Sequence, residues 1–174
     1  MCRINLSKYN LVKNCRICNS TNLHLILDLG EQPPANSLID KSQLNTIEPK
    51  FPLRLFWCGD CFLVQLLDIV NKEHLFKHYL YMTSASKPIV DHFKKYAVDI
   101  FNKFLNKQEN PFVVEIGSND GSLLREFKKL GSSILGIEPA SNLAKLANDS
   151  DITTLNDFFS LDIAKNIIQS KNAS

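Results

Sequence analysis

Val113-Val114-Glu115-Ile116-Gly117-Ser118-Asn119-Asp120-Gly121 decides the fold: a β-branched apolar run reaches a glycine turn and gives way at once to a helical pattern. The run from Phe112 to Ile116 reads as a buried strand. Gly117 lets a ligand approach the backbone closely, and Gly121 lets the helix start pack near the strand. That helix carries Leu123, Leu124, Phe127 and Leu130 on one face, with Asp120 or Ser118 as its cap and Gly131 as its stop. The rhythm then repeats: a strand over 134–137, a helix with Leu143, Ala144, Leu146 and Ala147, a short strand over 152–155, and a last helix with Leu161, Ala164, Ile167 and Ile168. Strand, turn and helix in alternation predict a parallel α/β sheet that binds its ligand at the carboxyl edge of the strands.

The ligand is read from the acids. Glu138 ends the second strand, 21 residues past Gly117, where a carboxylate can accept both hydroxyls of a ribose. A dinucleotide site calls for Gly-x-Gly-x-x-Gly, whose glycines admit a pyrophosphate to the helix N-terminus. Here Asn119 and Asp120 stand in that turn. An acid beside the helix start repels a pyrophosphate and suits a ligand carrying an ammonium and a sulfonium, so S-adenosylmethionine is the expected cofactor. A dinucleotide and a purely structural glycine turn are the alternatives, as is a solvated Glu138 ahead of Pro139.

Upstream the text changes character. From Cys15 to about Asp68 it consists of strand-like runs (23–27, 51–57 and 62–67), a turn at Gln32-Pro33-Pro34, and two pairs, Cys15-x2-Cys18 and Cys58-x2-Cys61. Each pair places two thiolates on a tight turn, and together they supply the four soft ligands of a tetrahedral zinc. The 39 residues between the pairs must fold as an inserted loop or subdomain. A full thiolate sphere has no position for an activated water, so the expected zinc is structural; unliganded buried cysteines and a redox dithiol are the other readings. Cys2 is expected as a free thiol. Between the two regions, from Glu73 to about Lys107, Ile89, Phe93, Tyr96, Ala97, Ile100, Phe101 and Phe104 recur at helical spacing, with Pro88 in the first turn.

The 174 residues, 44% hydrophobic and 22% charged, are ordinary globular usage, which excludes wholesale disorder and low-complexity classes. A net charge of +2 is too balanced for a general binder of nucleic acid or anionic membrane. No apolar run approaches the ~20 residues of a membrane span; the longest, 62–67, is broken by Gln65. The N-terminus shows no secretory pattern, so a reducing, cytoplasmic setting is expected, in which paired cysteines point to metal. Arg3, Lys8, Lys13 and Arg16 lend some support to a different class of function, a non-enzymatic zinc module that binds a partner protein or nucleic acid, but they form no dense basic stripe.

Taken together, Cys15-x2-Cys18, Leu27-Asp28-Leu29-Gly30, Gln32-Pro33, Ala35-Asn36-Ser37-Leu38, Pro52-Leu53, Cys58-x2-Cys61, Leu63-Val64-Gln65-Leu66, Tyr79-Leu80-Tyr81, the glycine turn and Gly136-Ile137-Glu138-Pro139 are specific. Over residues 15–159 the chain resembles the zinc-containing sugar C-methyltransferases that act on nucleotide-linked ketosugars. The resemblance implies a zinc-binding domain at 1–72, a helical connector at 73–110, and at 111–174 the first part of a Rossmann-like class I methyltransferase domain. It implies S-adenosylmethionine and one structural zinc, and a thymidine-diphosphate keto-deoxysugar as typical substrate. The methyl acceptor would be an enolate, formed when a base removes the acidic proton beside the keto group.

The implied cofactor-binding residues are Glu115, Gly117, Ser118, Asn119, Asp120, Gly121, Glu138 and Asp157, the last on the adenine side or else a helix N-cap. Tyr81, and less directly Tyr79, is implied beside the sugar, with aromatic packing as the alternative. His24, His74, His78 and His92 match no role beyond surface or packing. The family's sheet continues past its third strand and places its catalytic histidine there, so no base is named in this chain. A truncated family member is expected, with the strand 112–116 as an open edge and, as a partner, a second polypeptide supplying the remainder.

Overall fold

A computed structural model describes residues 9–172, and its backbone divides into two compact units that part between Leu75 and Phe76. Cys2, Arg3 and Lys8 lie outside the described residues.

The first unit is all antiparallel. It contains β1 (Tyr9–Leu11), β2 (Leu23–Gln32), β3 (Phe51–Cys58), β4 (Val64–Leu66) and β5 (Asp68–Val70), and α1 (Lys72–Phe76) leads out of it. One sheet has the order β2-β3-β4, and β1 pairs with β5. Arg54 on β3 ties the two together through a bidentate pair with Asp68 on β5, at 2.8 Å from Nε and 2.7 Å from Nη2. The Asp68 side chain is 1% exposed, so this fork replaces the water the carboxylate gives up. β2 runs further than the 23–27 expected because Leu27-Asp28-Leu29-Gly30 is a bulge within it: the Gly30 N–H donates to Asp28 Oδ1 at 2.8 Å, and Gly30 takes φ 69°. The strand expected over 62–67 begins only at Val64, since Phe62 turns left-handed in the second cysteine knuckle.

The second unit opens with an extended strap, 77–86, ending in a 3-10 turn at Thr83–Ala85. α2 (Lys87–Ile100) follows, with Pro88 in its first turn, and closes in a π turn over Phe101–Leu105. Then come β6 (Phe112–Ile116), α3 (Ser122–Lys129), β7 (Ser133–Ile137), α4 (Ser141–Asp149), β8 (Thr154–Leu155) and α5 (Leu161–Asn172). The three strands form a parallel sheet in the order β6-β7-β8. Leu124, Ala147 and Ile152 make the buried centre, with Val113 and Ile134 against them. α3 ends in a Schellman motif, the Ser132 N–H reaching Phe127 O at 3.1 Å and the N–H of Gly131, at φ 90°, reaching Lys128 O at 3.0 Å. The chain is thus mixed α/β, with a four-cysteine cluster and a parallel sheet of Rossmann-like type, as its sequence implies.

Four local expectations need correction. The helical pattern over 73–107 is interrupted by the strap, whose backbone groups are bonded by side chains rather than by a helix. Phe104 does not continue the α2 face: the π turn, closed by Asn106 N–H to Phe101 O at 2.9 Å, adds a residue and brings Leu105 round in its place. In α5 the half-buried face is Ile163, Ala164 and Ile167, while Leu161 and Ile168 are exposed. Ile152 belongs to the end of α4 rather than to β8, because its N–H goes to Ala147 O.

Candidate functional site

The first site is a metal centre. The two Cys-x2-Cys segments fold as the same turn twice. The Asn19 N–H donates to Cys15 O at 3.0 Å and the Phe62 N–H to Cys58 O at 2.9 Å; the Cys15 N–H donates to Ser20 O at 2.8 Å and the Cys58 N–H to Leu63 O at 2.9 Å. The residue after each second cysteine is left-handed, Asn19 at φ 60° and Phe62 at φ 61°. Paired this way, the four Sγ atoms lie within 4.8 Å of one another, with Cys15–Cys61 and Cys18–Cys58 at 3.5 Å. Sulfurs around a zinc at ~2.3 Å stand ~3.8 Å apart, so the donors fit that ion.

The electrostatics of the cluster agree. Cys15 is drawn down to about 6 by the Cys18 N–H, against the effect of burial. Cys18 is pushed up to about 12: the Ser20 N–H pulls its thiol down, and burial with three neighbouring sulfurs outweighs that pull. Such a set cannot ionise together unless a cation sits among the sulfurs. Gln65 backs the cluster. Its Oε1 accepts the Arg16 N–H at 3.2 Å, its Nε2 is buried without a hydrogen-bond partner, and its side chain, like that of Cys61, adds a smaller lowering of the Cys15 thiol after the backbone N–H groups.

The second site is the glycine turn. The Gly117 N–H donates to Ile137 O at 2.8 Å, holding the end of β6 beside β7. Gly117 has φ 71°, and a Cβ there would meet nothing within 4 Å: the space above it is open. Gly121 is the opposite case, for a Cβ would stand 2.6 Å from Ile152 Cγ2, so this glycine serves core packing. Gly136 faces Ser118 Oγ at 2.5 Å and Thr154 Oγ1 at 2.8 Å from a built Cβ, which explains why the middle of β7 carries no side chain.

Glu138 lies where the sequence puts it, at the end of β7, and is 6% exposed. Its Oε2 accepts the Asn119 N–H and its Oε1 the Ala140 N–H, each at 2.8 Å. Each oxygen keeps a lone pair, so the carboxylate is oriented for two further donors. Glu115, on β6, has an enclosed Oε2 with no partner. Burial, and then the charges of Asp120 and Glu138, push its carboxyl up to about 7.

The side chains of Asn119 and Asp120 turn to the strap. Asn119, at φ 53°, donates from Nδ2 to Tyr81 O at 3.0 Å and accepts the Thr83 N–H on Oδ1 at 3.0 Å. Asp120 accepts the Ser84 N–H at 2.9 Å and Ser122 Oγ–H at 2.6 Å. Burial works against its ionised form, but those bonds from Ser122 and Ser84 win and hold its carboxyl below the ordinary range. Asp120 thus supports the start of α3 from one residue before the cap position, which Gly121 occupies.

Asn142 is the residue that sequence reasoning missed. Its Oδ1 accepts the Tyr79 N–H at 3.1 Å and its Nδ2 donates to Tyr79 O at 2.7 Å, while the Ser141 N–H beside it goes to Lys77 O at 3.0 Å. One signal was available: α4 begins after Ala140, which has no capping side chain, so its first N–H groups must find acceptors elsewhere. Tyr81 is 45% exposed, and Tyr79 is half-buried with its ring centroid 6.4 Å from that of Phe76. Asp157 accepts the Phe158 N–H, and the cap of α5 is Ser160 instead, whose Oγ accepts the Ile163 N–H at 3.3 Å. Among the histidines, His24 stacks on Trp57, His74 meets Phe51 edge-on, and His92 lies by Tyr96.

Fold and sites together define a class: a four-cysteine metal domain in one chain with a Rossmann-like half-sheet that carries a glycine turn and a strand-end glutamate. Comparison with known proteins agrees. Residues 15–76 match the family described as "Putative zinc binding domain". The C-methyltransferase NovU of Streptomyces niveus is 31% identical over 156 residues, which make up 90% of this chain and 37% of NovU. The chain therefore spans well under half the length of that relative. No helix among the described residues is long and apolar enough to cross a membrane.

Proposed function

We propose that the chain is the cofactor-binding part of an S-adenosylmethionine-dependent C-methyltransferase acting on a nucleotide-linked keto-deoxysugar. One observation carries the reading: the open space over Gly117 lies at the same strand ends as a buried, oriented Glu138, in a chain similar to a C-methyltransferase. Glu138 would accept the two ribose hydroxyls, the Gly117–Asn119 backbone would admit the methionine end, and Asp157 would lie towards the base. The cofactor, when bound, supplies an electrophilic methyl on a sulfonium. Loss of the proton beside the sugar's keto group would give an enolate whose carbon could take that methyl, the electron pair of the S–C bond remaining on sulfur. Tyr81, 45% exposed on the strap, is the residue of this chain proposed to lie beside the sugar, with Tyr79 as the second candidate. The four cysteines would hold one structural zinc.

Among the described residues β6 has a strand neighbour only in β7, and Val114 and Ile116 are exposed, so the reading includes a further parallel strand along that edge, from more of the same protein or from a second polypeptide. Calorimetric titration of the zinc-loaded chain with S-adenosylmethionine tests the cofactor. Saturable binding is expected, weakened at least tenfold in Gly117→Ala, which fills the open space, and in Glu138→Gln. Absence of binding to folded, zinc-loaded protein would refute the reading and leave the metal domain as the functional part.

A further inference from the structure

Residues 77–82 lie in no helix or strand ahead of the 3-10 turn at Thr83–Ala85, yet over 77–84 five backbone N–H and C=O groups are bonded by the side chains of three residues. Asn142 takes both the N–H and the C=O of Tyr79, Asn119 takes Tyr81 O and the Thr83 N–H, and Asp120 takes the Ser84 N–H. A sixth bond, Ser141 N–H to Lys77 O, comes from the backbone of α4. These anchors stand on two turns. Asn119 and Asp120 belong to the β6–α3 turn and Asn142 to the first turn of α4, just after Glu138. Glu138 joins the two turns to each other, one oxygen on the Asn119 N–H and the other on the Ala140 N–H. The strap, the glycine turn and the strand-end carboxylate are therefore one hydrogen-bonded body.

We propose that Asn142 and Asn119 are positioning residues that couple cofactor binding to the placement of the Tyr79–Ser84 strap. This rests on the S-adenosylmethionine reading of the glycine turn. A ligand that engages Glu138 and the Gly117–Asn119 backbone favours the arrangement of both turns in which all the strap bonds are made. By linkage the docked strap favours the ligand by the same factor. Tyr81 lies between the bonds to Tyr79 and Thr83 and its own carbonyl is held by Asn119, so its backbone is placed by these two asparagines. An amide side chain suits the task at both places. One planar group donates and accepts, as a neighbouring strand would, and Asn also tolerates the left-handed φ at 119.

The test is amide hydrogen exchange, read by NMR on the zinc-loaded chain with and without S-adenosylhomocysteine, in the wild type and three variants. Asn142→Ala removes both Tyr79 bonds. Asn142→Asp keeps an acceptor for the Tyr79 N–H and loses the donor. Asn119→Gly keeps the backbone angle and deletes the side chain, so folding is preserved. In the wild type the ligand is expected to slow exchange at Tyr79, Thr83 and Ser84 by about fivefold or more, the factor that one net hydrogen bond represents. Asn142→Ala should abolish that slowing at Tyr79 and weaken the ligand several-fold, and Asn142→Asp should restore slow exchange at Tyr79; a merely structural asparagine would not move the ligand-dependent part. Asn119→Gly should abolish the effect at Thr83.

If the ligand protects the Asn119 and Ala140 amides while the strap exchanges as before, the coupling is wrong although the cofactor reading stands. If no ligand binds to folded protein, the cofactor reading falls and the coupling with it, even where Asn142→Ala still frees Tyr79.

Discussion

Glu115→Gln should stabilise the second unit by an amount that grows as the pH rises from about 4.5 and levels off above about 7. The Glu115 carboxyl is held up to about 7 from an ordinary 4.5, first by burial and then by Asp120 and Glu138. A carboxyl whose folded value is raised binds its proton more tightly in the native state. Its contribution to stability is therefore complete below the unfolded value, declines as the pH climbs from 4.5, and is gone above about 7. A rise from 4.5 to about 7 corresponds to ~3 kcal/mol at most, at ~1.4 kcal/mol per unit. Glu115 as a whole is only half-buried although its Oε2 is enclosed, so about 1–3 kcal/mol is the expected range.

Glutamine keeps the shape and removes the ionisation. The variant should match the wild type near pH 5 and exceed its stability by about 1–3 kcal/mol near pH 8. Native-state hydrogen exchange of the slowest amides in β6, β7 and α3 reports this unit alone, free of titration in the metal domain. Only the difference between the two proteins matters, since the other groups titrate in both. A difference of equal size at both ends of that range, or a variant less stable than wild type at the alkaline end, would show that Glu115 is ionised in the fold and that the argument from its enclosed oxygen is wrong.

Gly121→Ala should cost roughly 2–4 kcal/mol in chemical unfolding, from the 2.6 Å approach to Ile152 and a φ of 73°, whereas Gly117→Ala, with open space around it, should cost only about 1 kcal/mol. Chelation of zinc should unfold the first unit while the amides of β6–β7 keep their protection; the single tryptophan, Trp57, stacked between His24 and Phe62 and next to Cys58, should report it as a change in emission. Gln65→Met should weaken zinc binding by about 10–100-fold in a competition titration, since it removes the buried amide beside Cys15 and the acceptor that holds the Arg16 N–H.

What could be read from the sequence was whatever repeats or has fixed spacing. The two Cys-x2-Cys pairs found each other across 39 residues because a knuckle is local and its metal geometry is general. The strands and helices from Phe112 onwards followed from apolar period and from glycines at turns. Errors came where a local device altered the period without altering the composition. The π turn after Ile100 displaced Phe104, the left-handed Phe62 delayed β4, and α5 turned Ile163 inward where Leu161 and Ile168 looked equally apolar. The strap was illegible for a different reason. Its order comes from Asn119 and Asp120, 36 residues away, and from Asn142, 63 residues from Tyr79, and no local preference encodes bonds of that reach.

The glycine turn divides its work between backbone and side chains. Gly117 contributes open space, Gly121 close packing, and Glu138 fixes both turns from within the sheet. That leaves position 119, left-handed at φ 53°, where glycine would be the least strained choice. Asparagine pays a small conformational cost there and in return holds Tyr81 and Thr83 through one amide. The departure from a glycine-only turn, which in the sequence argues against a pyrophosphate, has in the fold a positive cause: the turn that leaves room for a ligand on its backbone side is also, through its side chains, the clamp for the segment that carries Tyr81.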